Sequence, residues 1–249
     1  MEQILTALRA QLDELDALVA PLHDTGWALP SDCEGWAIAD VVLHLAQTNE
    51  LAAASAHGDL ERVAKGWGRP EGTTVDDAAG AAVTGERGAS GAEVLARWRR
   101  SAEDMSDALA RCDPASRLQW VAGDMAARTL ATTRLAETWI HTGDVADGLG
   151  VELPASDRLW HIARLAHRTV PYALTRASEA APGPVRFVLD APTGAEKWRF
   201  GPDDAPTAIA GPALDLCRVA GQRATAADTA LVGTGPDADR VLTLVRTFA

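Results

Sequence analysis

Apolar residues return every three or four positions at the start of the chain. Ile4, Leu5, Leu8, Leu12, Leu15 and Val19 follow the period of a helix with one face turned inward. The spacing predicts a first helix over about residues 2–20, broken by the Pro, Gly and Asp residues of "PLHDTGWALPSDCEGW". Ile38, Val41, Val42 and Leu45 restart the pattern, predicting a second helix from about Ala37 to Ala64. Val94, Leu95, Trp98, Met105 and Leu109 predict a third over Ala92–Cys112. A fourth should run from Met125 to about Leu149, capped by Asp124 and ended by Gly148 and Gly150. Four long helices, each with an apolar face, make a bundle.

Between the second and third helices lies a glycine-rich stretch, 66–91, with a short helix expected around Val75–Val83. A connection of that length is either a lid over a site or a solvated connector. After Pro154 the pattern changes. A helix over about Ser156–Ser178 is followed by short alternating runs at Val185–Leu189, Lys197–Phe200 and Thr207–Ile209, then helical segments at Leu214–Val219 and Ala238–Phe248. The expected architecture is therefore mainly α with a smaller α+β domain: a four-helix bundle over 1–152 and an α+β domain over 153–249.

Composition narrows the functional classes. The 249 residues are 47% hydrophobic and carry a formal charge of −12. An acidic surface repels phosphate backbones and anionic bilayers, so neither nucleic acid nor membrane is expected as a partner. No apolar run reaches the length of a membrane span. Three scattered cysteines, Cys33, Cys112 and Cys217, fit reduced thiols in the cytoplasm and form no disulfide framework. Cys33, beside the first of the motifs below, reads as structural.

The chemistry concentrates in "LAETWIHTGDVADGLG" (135–150). Glu137 and His141 are four apart on the fourth helix, with Cβ atoms about 6 Å from one another, and Asp144 lies near the same side. A third donor is available in His44 of "WAIADVVLHLAQ", on an inward face where a buried imidazole needs a hydrogen-bond partner or a metal. Spacing alone leaves the bland readings open. Glu137–His141 reads as a surface ion pair, His44 as a satisfied core histidine, and Asp144 as a capping or supporting group. If the three positions converge, two nitrogens and one oxygen make an open site suited to Zn²⁺ and acceptable to other divalent ions.

"CEGWAIADVVLHLA" (33–46) and "RLAETWIHTGDVADGLG" (134–150) resemble the two signature regions of the mycothiol-dependent maleylpyruvate isomerase family, DinB-like metalloproteins of actinobacteria. The resemblance extends to "GPALDLC" and "ALVGTGPDADRVL" in the second domain. It implies a DinB-like metal-binding four-helix bundle followed by an α+β domain, with zinc ligands at His44, Glu137 and His141. It also implies mycothiol as thiol cosubstrate and a substrate-contacting arginine near Arg223 of "GQRATAAD". The expected function is zinc-dependent activation of that thiol for S-transfer to, or isomerisation of, a small electrophile. A metal-dependent hydrolase or cyclase without a thiol, and a non-catalytic metal-binding module, stand beside it. Arg134, three residues before Glu137, is a second candidate cation for an anionic substrate. Arg164, Arg168, His161 and His167 lie on the following helix. Trp36, Trp67 and Trp139 read as pocket lining or, on the blander view, as packing.

Overall fold

The computed structural model describes residues 1–65 and 74–247. The chain forms two compact units, Met1–Leu153 and Pro154–Ala249. The glycine-rich stretch falls partly outside the described residues, and Trp67 with it. No described helix is long and apolar enough to cross a membrane.

The first unit is a bundle of α1 (Glu2–Val19), α3 (Ile38–His57), α6 (Gly91–Arg111) and α7 (Ala127–Leu149), with shorter helices α2 (Asp24–Trp27), α4 (Leu60–Ala64) and α5 (Val75–Glu86) between them. α3 packs on α6 and α7, and α1 on α7 and α6. α1 buries Leu5, Leu8, Leu12, Leu15 and Val19, the stripe its periodicity announces. α6 starts at a reciprocal cap. Ser90 Oγ accepts from the Glu93 amide, and Glu93 accepts from the Ser90 amide at 2.8 Å.

α3 differs from α1 and α6 in being buried almost all round, from Val41 to Asn49 without a break. Its polar residues His44, Gln47, Thr48 and Asn49 therefore lie in the interior, where each must find a partner or serve a function. The expected helix to Ala64 is interrupted. Gly58 adopts a left-handed conformation (φ 81°), which ends α3 before the chain restarts as α4. Asp124 does not cap α7. Met125–Ala126 is instead a short strand, β2, paired antiparallel with β1 (Arg117–Leu118), and α7 begins at Ala127.

The second unit holds α8 (Leu159–Arg176), α9 (Ala213–Ala220) and α10 (Ala238–Leu244) with a four-stranded sheet. The strand order is β4 (Lys197–Phe200), β3 (Val185–Asp190), β5 (Thr207–Pro212) and β6 (Val232–Thr234). β3 runs parallel to β5, with Phe187 opposite Ile209, and the outer pairs are antiparallel. Val185, Phe187 and Leu189 alternate into the core, and α8 packs against β3 and β4.

Candidate metal centre

α3 and α7 pack side by side, and this contact brings His44 to the Glu137–His141 pair. Donor atoms of the three residues all lie within 4.8 Å of one another. His44 Nε2 is 3.1 Å and His141 Nε2 3.5 Å from the same oxygen, Oε1 of Glu137. The two imidazoles meet edge to face with centroids 4.9 Å apart. His44 and His141 are 6% and 8% exposed, so the pair is no surface ion pair. Two nitrogens and a carboxylate oxygen, drawn from two helices and converging at this range, fit a divalent ion.

His141 is anchored from behind. Its Nδ1–H donates to Asp144 Oδ2 at 2.8 Å, one turn further along α7, which leaves Nε2 facing Glu137. That is the carboxylate–histidine arrangement that fixes a ligating imidazole's tautomer and orientation. Cys33 joins the same oxygen: its Sγ donates to Asp144 Oδ2 at 3.0 Å and lies 3.7 Å from His141 Nδ1. Cys33, Asp144 and His141 are thus a second close group of donors, but at hydrogen-bond length they support the first. Replacing Asp144 by asparagine is expected to weaken metal binding about 10–100-fold, measured by competition with a chromogenic chelator. An unchanged affinity would mean that His141 needs no such support.

The segment that delivers Cys33 is a tight loop closed by a bridge between Pro30 and Ala37. Ser31 accepts no slack: its amide and its hydroxyl both donate to the Trp36 carbonyl, at 3.0 and 2.8 Å. The Asp32 amide donates to the Asp144 carbonyl at 3.1 Å. Trp36 tilts over His44 with ring centroids 5.3 Å apart. Both residues adjoin the donor set, although Cys33 lies 108 residues from His141. The only sequence signal for Cys33 was its place at the edge of the first signature segment.

Burial and hydrogen bonding set the charges. Burial alone would raise Glu137, but hydrogen bonds from His141 and His44 and the His141 and Arg134 charges outweigh it and hold the carboxyl well below its usual range. Burial would lower His141, yet Asp144, Cys33 and Glu137 together hold it well above an ordinary imidazole. His44 is lowered, chiefly by burial.

The signs follow. Glu137 contributes stability above the ordinary carboxylate range that is lost as pH falls through its depressed value. His141 contributes stability that is full below its unfolded value of 6.5 and is lost as pH rises through its elevated one. An ion bound here would displace the Nε2 proton of the charged ring and leave Nδ1–H on Asp144. Metal affinity is therefore expected to rise about tenfold per pH unit while that proton is held, then level off. A flat profile from about pH 6 to 8 would mean the ring is already neutral.

Each of the other candidates has surroundings of its own. Arg134 is buried, with one Nη donating to Thr48 Oγ1 at 2.9 Å and Asn49 Oδ1 at 3.2 Å. Trp139 is half-buried. In the second unit, Arg223 donates to the Gly221 carbonyl at 3.1 Å, just past α9. Arg164 and Arg168 are exposed on α8, the former over the Trp160 ring at 5.7 Å. His167 Nε2 lies 2.9 Å from the Val185 carbonyl oxygen. Cys217 is buried, and burial pushes its thiol up.

Comparison with known proteins places the chain in a family. Residues 8–146 match the family model described as the mycothiol maleylpyruvate isomerase N-terminal domain. Two proteins of Mycobacterium tuberculosis, described as uncharacterized proteins MT0041 and Rv0036c, are each 38% identical over 246 residues, spanning 97% of this chain and 93% of theirs. The fold is also that of the mycothiol-dependent maleylpyruvate isomerase. Its crystal structure superposes with a TM-score of 0.61, and that of a single-residue variant with 0.63. Each is 16% identical and covers 94% of this chain and 95% of the other. With more than half its length, and His44, Glu137 and His141, inside the matched region, the chain belongs to the mycothiol maleylpyruvate isomerase family.

Proposed function

We propose that His44, Glu137 and His141 hold a divalent ion, Zn²⁺ first among those that suit the set, and that the protein activates a low-molecular-weight thiol, mycothiol, against a small electrophile. The observation that carries this reading is the convergence of three donors from two helices within 4.8 Å, in a family defined by a thiol-dependent isomerase. When bound, such an ion lowers a thiol's pKa and stabilises the thiolate.

The chain's own residues do the rest. Asp144 keeps the His141 proton on Nδ1 and so keeps Nε2 as the donor. Glu137 stays ionised in a buried setting. With the nucleophile supplied by the cosubstrate, no protein cysteine is needed to attack. The thiolate adds to an activated alkene: the S–C bond forms, the C=C bond becomes single and the carbonyl takes up the electron pair. Rotation and loss of the thiolate then restore the alkene as its isomer. With a leaving group in place of the alkene, the same attack ends as S-transfer.

The test is to incubate zinc-loaded protein with mycothiol and either maleylpyruvate or monochlorobimane. Conversion of the first or conjugation of the second should exceed the protein-free rate by at least about 100-fold and should disappear on zinc removal. A zinc-replete protein that accelerates neither reaction would overturn thiol chemistry and leave hydrolysis or cyclisation as the alternatives to assay.

A further inference from the structure

Among the described residues, the buried ionisable groups of the first unit are His44, Arg134, His141 and Asp144, with Glu137 nearly so. Arg134 is the anomaly. It is 2% exposed, its Nε has no hydrogen-bond partner, and its bonds run to neutral acceptors, Thr48 and Asn49. Among the described residues no carboxylate pairs with it directly. Glu137 acts on it only at a distance, through its charge.

A buried guanidinium without a carboxylate is costly, and the remedy is one atom away. Asn49 Oδ1 already accepts from Arg134 at 3.2 Å, while Asn49 Nδ2 has no partner. Aspartate at position 49 would satisfy both residues. The amide instead leaves the positive charge with no carboxylate hydrogen-bonded to it, one helical turn from Glu137.

That charge has a consequence for the donor set. With both imidazoles neutral, Glu137 and Asp144 supply two negative charges and Arg134 one positive. A divalent ion then leaves the interior with a single positive charge, which one monoanionic ligand cancels and a neutral ligand does not. We propose that Arg134 is a positioning residue in the electrostatic sense: through its charge it makes the metal centre take up one small monoanion, the class to which a thiolate belongs, in preference to neutral ligands. This rests on the metal reading above.

The test uses the cobalt-loaded protein, whose visible spectrum reports ligand binding, titrated with azide as the monoanion and imidazole as the neutral probe. In N49D, which is isosteric and gives Arg134 a carboxylate, azide affinity should fall about tenfold while imidazole affinity stays within about twofold of wild type. R134M should behave as N49D, and R134K, which keeps the charge, should behave as wild type. A purely structural role would move both probes together or neither. Azide binding unchanged in N49D, or azide and imidazole weakened alike, overturns the proposal, and N49D decides the matter if R134M fails to fold. A wild-type protein that takes up no cobalt defeats the metal reading and this inference together. Cobalt uptake with no azide–imidazole split in N49D defeats the inference alone.

Discussion

Glu137→Gln is expected to abolish tight metal uptake while leaving the helical bundle folded. Glutamine keeps the size and one oxygen but removes the charge that both imidazoles address, at 3.1 and 3.5 Å. Losing a supporting group costs a metal site about 10–100-fold, so losing the charged ligand itself should lower affinity at least about 100-fold. The second readout is thermal. A ligand present at about 1,000 times its dissociation constant stabilises the folded state by about 4 kcal/mol. Added zinc should therefore raise the melting temperature of the wild type well beyond that of E137Q, whose gain shrinks to about 1.4 kcal/mol or less at a 100-fold lower affinity. Retention of one tightly held ion by E137Q would show that Glu137 is not a ligand.

Gly148→Ala should dislodge the loop that supports the donor set. A Cβ at Gly148 would lie 2.5 Å from the Pro30 carbonyl oxygen and 3.0 Å from Ser31 Cα. Both are backbone atoms of the closed loop that carries Asp32 and Cys33 onto Asp144, so no side chain can swing aside to make room. The loop has to leave α7, and with it go the Asp32–Asp144 bond and the Cys33–Asp144 bond. The expected cost is about 2–4 kcal/mol in denaturant unfolding, with weaker metal binding as His141 loses a fixed support. A G148A protein of unchanged stability and affinity would mean that the loop is not clamped on the helix.

These two cases divide what sequence could and could not disclose. That Glu137 and His141 are neighbours was legible because i and i+4 on one helix adjoin wherever the helix lies, and the burial of His44 because it sits among apolar residues; that the three would meet was not, since spacing alone left an ion pair and a core histidine open. α1 and α6 were legible for a similar reason: each has one buried stripe. Boundaries failed where a local conformation overrode periodicity. Gly58 sits within an otherwise helical pattern, and its left-handed turn cut α3 short. At Asp124 a good capping residue was passed over because Met125–Ala126 was taken by a strand.

β6 left no trace. Its three residues are short, and Val232 at its start is 61% exposed, so there was no apolar alternation to find. Cys33 was invisible for a different reason. Its role depends on a loop folding back over a helix that begins 94 residues later in the chain, and nothing in its own neighbourhood encodes that return. Arg134 stood on the right side of α7, but its burial and its pairing with an amide in place of a carboxylate depend on which residue α3 presents opposite it.

On the function proposed above, α3 and α7 build one metal centre from His44, Glu137 and His141. Crystals grown with zinc, measured at wavelengths on either side of the zinc absorption edge, test it most directly. The expected result is one strong anomalous peak within coordination distance, about 2.0–2.2 Å, of an imidazole nitrogen from each histidine and an oxygen of Glu137. A map with no peak among these residues, or with its zinc bound elsewhere on the chain, would contradict it.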